Sequence, residues 1–228
     1  MKRWLIFLFF SFLFSEMAWA VTPLAIGKAI FVQGQAAAIN STGNKRVLQR
    51  GADLFLHDRI VTEESSKIQL RLHDDSVIVV QPSSEFYVSE FAFDKKSPRN
   101  NKYVGNLVKG VLINISGQGD PKNYQLQSPL TTIAFRGTGL ATKLIAMNNI
   151  AVNQEVYVFQ GYVAVTSGLE RINIGSGQQM NSALINKTGK IQGMKSTTLL
   201  SESGMTNLTD KIITKQGESG IAIKCKGR

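Results

Sequence analysis

Cysteine is almost missing from this chain. Its one copy among 228 residues, Cys225, lies in the C-terminal tail. A disulfide framework within one chain is therefore excluded, which leaves an inert thiol or an intermolecular bridge. Histidine is nearly as scarce. The two copies, His57 and His73, fit neither an HExxH nor a Cys/His spacing, so no zinc site is expected. His73 belongs on a polar strand face, and His57 in a turn before Ile60. The serine-hydrolase elbow GxSxG does not occur. Gly175-Ser176-Gly177 runs into Gln178-Gln179-Met180 and lacks the third glycine and the helix of a phosphate-cradling loop. Asp74 and Asp75 are adjacent, so their carboxyls point apart and cannot work as an acid/base pair. These gaps predict no catalytic residues, no metal, no cofactor and no enzymatic activity.

Charge of one sign is in excess: the chain carries a formal +10. A basic surface attracts anionic partners. The basic residues are scattered, as in Lys45-Arg46, Lys95-Lys96 and the Lys224–Arg228 tail, without an arginine-rich run or stacking aromatics. That pattern argues against nucleic acid and for an envelope protein or an anionic envelope polymer.

Long apolar runs are missing except at the start. Lys2 and Arg3 precede an apolar stretch from Trp4 to Phe14, and Ala18-Trp19-Ala20 has the small-x-small form of a signal-peptidase site. The stretch is about half the ~20 residues a bilayer span needs. The expectation is a signal peptide over 1–20, cut between Ala20 and Val21, and a periplasmic or secreted product without a transmembrane segment. Removing Lys2, Arg3 and Glu16 lowers the charge from +10 to +9.

Beyond Val21 the chain is β-rich. From Lys67 to His73, Ile68, Leu70 and Leu72 face one way and the polar residues the other, the period of a half-buried strand. Asp74-Asp75-Ser76 supplies a turn, and Val77–Val80, apolar on both faces, resumes as a central strand. Similar short runs punctuated by Gly, Asn and Asp recur to about Gln179: Ala29–Val32, Val111–Ile115, Tyr124–Ser128, Leu140–Met147, Ile150–Phe159, and Val163 with Val165 after Gly161. No long 3.6-period segment interrupts them. The prediction is an all-β fold of short, mainly antiparallel strands in a sandwich- or solenoid-like arrangement. Its expected bounds are 21–185, followed by an extension over 186–228. There Leu199, Leu200, Leu208, Ile212 and Ile213 are candidates for the apolar face of a short helix, which Gly204 weakens.

The segment Ser128-Pro129-Leu130-Thr131-Thr132-Ile133-Ala134-Phe135-Arg136-Gly137-Thr138 stands out. Ile133 and Phe135 anchor one face, and Arg136 falls on the other. Gly137 permits a positive φ, and Thr138 returns the chain to a strand. Arg136 offers five donors, enough to clamp neighbouring strands. The rival role is to present its charge to an anionic ligand.

In order along the chain, these pieces resemble the FecR domain family of exported bacterial proteins. The series runs Gly27 to Gly34; Leu48, Gly51, Leu54, Asp58, Ile60 and Thr62; then Leu70, Leu72, Asp74, Asp75 and Ser76. Asp75 stands where the family usually has glycine. Pro82, Ser84, Glu85, Leu107, Gly110 and Ser116-Gly117 come next, then Pro129 with Arg136-Gly137-Thr138, and Gly161, Val163, Gly175 and Gln178. The resemblance spans about residues 27–180. It implies an all-β periplasmic interaction domain whose signature residues, Asp74, Ser76, Pro129, Arg136, Gly137 and Thr138, are mainly structural.

The family's namesake couples a ferric-siderophore receptor to a sigma factor through a membrane span and a cytoplasmic segment. Neither is legible here. The first expectation is therefore a non-enzymatic interaction or scaffold protein. An accessory in iron or siderophore signalling is second, and a wall- or polysaccharide-acting enzyme third.

Overall fold

The computed structural model describes residues 24–118, 123–147, 150–184 and 191–197. Strands dominate them: β1 (Ala25–Gln33), β2 (Ala36–Ile39), β3 (Lys45–Val47), β4 (Asp53–Phe55), β5 (Arg59–Thr62), β6 (Lys67–Leu72), β7 (Val77–Val80), β8 (Glu85–Ala92), β9 (Lys102–Ile115), β10 (Tyr124–Gln127), β11 (Thr132–Met147), β12 (Ile150–Ser167), β13 (Glu170–Gly175), β14 (Gln178–Leu184) and β15 (Ile191–Thr197). A short 3-10 turn, Pro98–Asn100, lies between β8 and β9. The fold is all-β, and of the pairings only β9 with β10 is parallel.

The predicted hairpin forms. Ile68 pairs with Val80 and Leu70 with Ile78, and β7 is buried on both faces between β6 and β9. Strand length differs from expectation. β9, β11 and β12 hold 14, 16 and 18 residues, where the glycines suggested breaks. These glycines bend strands instead of ending them. Gly110, Gly137 and Gly161 have φ of 88°, 56° and 80°.

The bends fold each long strand over itself. Tyr103 and Asn114 are 11 positions apart within β9, yet their side chains are hydrogen bonded at 2.9 Å. A straight strand would separate them by about 36 Å. Likewise Thr131 and Thr142 both bond the amide of Gln154.

Two layers result. One runs β15-β14-β12-β11-β9-β7-β6-β1-β4, using residues 110–115 of β9 and 153–158 of β12 where they meet β7 and β14. The other runs β3-β2-β5-β8-β9-β10-β11-β12-β13, using residues 102–109 of β9 and 162–167 of β12 where they meet β8 and β13. The core lies between them. Leu70, Ile78, Leu112, Leu140 and Val156 of the first layer meet Ile60, Phe86, Leu107, Leu126, Ile133 and Val165 of the second in one buried cluster.

The expected signal peptide and its expected cleavage point between Ala20 and Val21, and the apolar set from Leu199 to Ile213, lie outside the described residues. So does Cys225. β15 pairs with β14 in an antiparallel hairpin.

Candidate functional site

At one rim of the sandwich the two motifs that stood out in the sequence come together. The Asp74 carboxylate accepts from the Ser76 N–H at 2.9 Å and from the Ser76 hydroxyl at 2.7 Å, and also from the Tyr124 phenol. Asp74 and Ser76 are fully buried. Asp75 takes φ of 65° at the turn, a left-handed conformation that aspartate tolerates better than most residues. The glycine geometry is thus kept without glycine, and Asp75 also accepts a bond from the Gln118 amide.

The chain of contacts continues across the rim. Ser76 Oγ accepts from the Gly117 N–H at 2.9 Å, and the Gln118 N–H donates to the Asp74 carbonyl at 2.7 Å. A Cβ on Gly117 would collide with that carbonyl, so glycine is required for this approach. Next door, Ser116 Oγ accepts from the Thr138 N–H at 2.7 Å, and the Thr138 hydroxyl donates to the Tyr162 carbonyl at 3.0 Å. The elements 74–76 and 136–138 are thus joined through Ser116-Gly117. Arg136 pairs by backbone with Tyr162. Its side chain lies outside the described residues, and with it the choice between clamp and anion contact.

Beneath the rim, Tyr103, Tyr124 and Phe135 pack with ring centroids 5.6 to 6.0 Å apart. Burial, then the charge of Asp74 and the neighbouring Tyr124, holds the Tyr103 phenol well above its usual ionisation range. A neutral phenol is what this environment needs, because Tyr103 donates to the buried Asn114.

The opposite rim is stitched the same way. The Thr62 hydroxyl donates to Gln81 O at 2.6 Å and accepts from the Ser84 N–H at 3.0 Å. Ser84 Oγ accepts from the Val111 N–H at 2.8 Å, where Gly110 bends β9. Pro129 sits at this rim too, in a turn whose Ser128 hydroxyl accepts from the Thr131 N–H at 3.0 Å. It is remote in the register from Arg136. Gln154 gathers Ser128, Thr131 and Thr142 around one buried amide. Sequence reasoning missed Gln154 and Asn114. Their signal was a polar residue at an inward position of an apolar strand.

The remaining family positions are packed as well. Leu48, Leu54, Ile60 and Thr62 are buried. Asp58 is 4% exposed, accepting from Arg46 at 2.6 Å and from the Phe55 N–H at 3.0 Å. Arg46 also lies 5.2 Å from the Phe55 ring centre. His57 and His73 are exposed, and His57 is in a turn. Among the described residues no three His, Cys, Asp or Glu side chains stand where they would hold a metal ion, and no helix is long and apolar enough to cross a membrane.

Among the described residues four strands, β3, β4, β13 and β15, are paired on one side only; the edge of β13 is the one flanked by two strongly exposed apolar side chains of its own hairpin. β13 pairs with β12 alone. A two-residue turn, Gly168-Leu169, closes this hairpin, so Ser167 and Glu170 exchange bonds. By alternation, the backbone groups of Arg171 and Asn173 point outward. Leu169 is fully exposed and Tyr162 76% exposed beside this edge.

These features define a class: a two-layer all-β domain whose buried polar residues bind strands to one another. The FecR protein family model matches residues 58–164. Among solved structures the chain is similar to a candidate anti-sigma factor from Parabacteroides distasonis, seen in two crystal structures. Identity to it is 16% and the TM-score 0.49, over 68% of this chain and 64% of that one. The chain therefore spans less than two thirds of that protein's length. It also has a likeness to a cell surface anchoring domain, at 24% identity and a TM-score of 0.27, over 27% of this chain and 82% of that one. No curated protein matches.

Proposed function

We propose that this chain is a non-enzymatic, exported FecR-type interaction module that binds an envelope protein by adding one of that protein's strands to β13. The observation that carries this reading is the open β13 edge. An unpaired row of backbone N–H and C=O groups is a template for a further strand, and Tyr162 and Leu169 offer apolar contact beside it. The buried polar residues support the same reading. Asp74, Ser76, Thr138 and Gln154 use their hydrogen bonds on neighbouring strands, so they act in the fold and not on a substrate.

Export rests on the residue pattern before Val21. The FecR match favours a second reading, an accessory in FecR-type transmembrane signalling. The identity of the captured partner separates the two: a receptor or sigma-regulator domain points to signalling, and an envelope assembly protein to scaffolding.

The test is photo-crosslinking in intact cells from position 162, with position 143 on the other layer as control. A discrete envelope protein captured at 162 and not at 143 is expected. Equal capture at both positions, or none at either, would rule out the edge as the contact.

A further inference from the structure

The outer face of the second layer carries one polar row across its strands. Arg59 pairs with Tyr87, Tyr87 with Asn106, Asn106 with Gln127, and Gln127 with Thr132. Thr132 pairs in turn with Thr166, and Thr166 with Arg171 of β13. Their neighbours along the strands, such as Ile60, Phe86, Leu107, Leu126, Ile133 and Val165, belong to the buried core. Side chains alternate along a strand, so the row faces outward. From Arg59 to Arg171 it crosses six inter-strand spacings, about 29 Å.

Cations stand at the ends of this row, and every residue between Arg59 and Arg171 is an uncharged donor or acceptor. Past Arg59 the row runs through Ile39 to Lys45, a third cation. The acids of β8, Glu85 and Glu90, are each engaged by a basic side chain. Glu85 holds Arg59 at 3.0 Å, yet the Arg59 side chain stays 55% exposed. Among the described residues, the side chains of Gln127, Thr132 and Thr166 make no hydrogen bond within the chain. Thr62, Thr138 and Gln154 differ, because their side chains are committed to neighbouring strands. Beside the row, Ala134 and Ala164 pair on the same face, so the polar side chains stand above a floor of methyl groups.

We propose that this row is a binding track for an acidic polysaccharide. The polymer lies across the strands, with carboxylates toward the cations at the ends and hydroxyls on the uncharged side chains between them. Three observations select this occupant. The row has charge of one sign, which calls for an anion. That anion is sparsely charged: a nucleic acid strand bears a phosphate about every 3.4 Å, and no cation of the row stands between Arg59 and Arg171. A protein partner would need an apolar centre to its interface. The one ring of the row is Tyr87, half-buried, which offers a flat face to a sugar ring and a hydroxyl at its edge. The track is distinct from the β13 edge, since Gln127 on β10 lies three strands away from it.

Equilibrium binding of the purified protein to immobilised polygalacturonate, dextran and single-stranded DNA tests this. Polygalacturonate is expected to bind at least tenfold more tightly than either of the others. Tyr87→Ala and Gln127→Ala leave the net charge unchanged, and each should weaken that binding several-fold while melting stays near the parent's. Gln127→Ala, on the exposed face, decides the matter if Tyr87→Ala fails to fold. Lys143→Ala, which removes a cation from the other layer, should leave the affinity as it was. Crosslinking from position 162 should be unchanged in Gln127→Ala, so failure of the track and failure of the edge are read separately. Three results would overturn the assignment: no binding of polygalacturonate, DNA or dextran bound as tightly, or an affinity that falls with Lys143→Ala and not with Gln127→Ala.

Discussion

Asp74 shows how a buried charge is held in this fold. It is fully enclosed, and its carboxylate accepts from Ser76 twice and from Tyr124. Burying such a group is tolerable only when its acceptors are filled. Asp74→Ala would remove the acceptor of the Ser76 N–H and of the Ser76 hydroxyl, at about 1–3 kcal/mol for each unsatisfied group. We expect the melting temperature to fall markedly, and a variant that melts like the parent would remove Asp74 from the frame.

Tyr103 gives a pH prediction. Its phenol is held neutral in the fold by burial and by Asp74. In the unfolded chain it ionises near its ordinary value of 10.0. Above that pH the folded state binds more protons than the unfolded one, so stability is intact below about pH 10 and falls as pH rises beyond it. The slope is about 1.4 kcal/mol per pH unit for one such group. Denaturation curves between pH 8 and 11 should show this loss, and Tyr103→Phe should flatten it.

At the scale of elements, the hairpin of β6 and β7 was fully legible. Ile68, Leu70 and Leu72 declared its inner face by period two, and the Asp74–Ser76 turn needed only local chemistry. The long strands were not. A glycine that ends a strand and one that bends it look alike in a sequence, so Gly110 and Gly161 suggested breaks where β9 and β12 run on. The distinction is set by what the glycine approaches in space. A Cβ at Gly110 would run into Ser84 Oγ, and one at Gly117 into the Asp74 carbonyl. Neither neighbour can be read locally. Gly117→Ala is accordingly expected to cost about 2 kcal/mol or more, since the backbone of the adjoining turn must move. Chemical denaturation of the purified variant checks this, and an unchanged midpoint would contradict the close approach.

Over the whole molecule, the FecR signature is a description of the frame. Leu48, Leu54, Asp58, Ile60 and Thr62 pack one end, and Asp74, Ser76, Gly117 and Thr138 stitch a rim. These positions were legible because packing residues sit at fixed points of a repeating pattern. Gln154 and Asn114 were not, because their partners lie on strands folded back over them. Nor was a contact surface legible. An open edge is defined by which strand is left unpaired, a property of topology and not of any motif. In the proposed mode of binding this edge, and not the buried polar frame, meets the partner.

Melting and capture measured together on Asn173→Pro separate edge from frame. Proline removes an outward N–H and intrudes on the open side, while the bonds of Ile172 and Ile174 to β12 remain. Edge pairing predicts a melting temperature within a few degrees of the parent and loss of the crosslink formed from position 162. Undiminished capture by the folded variant would contradict it.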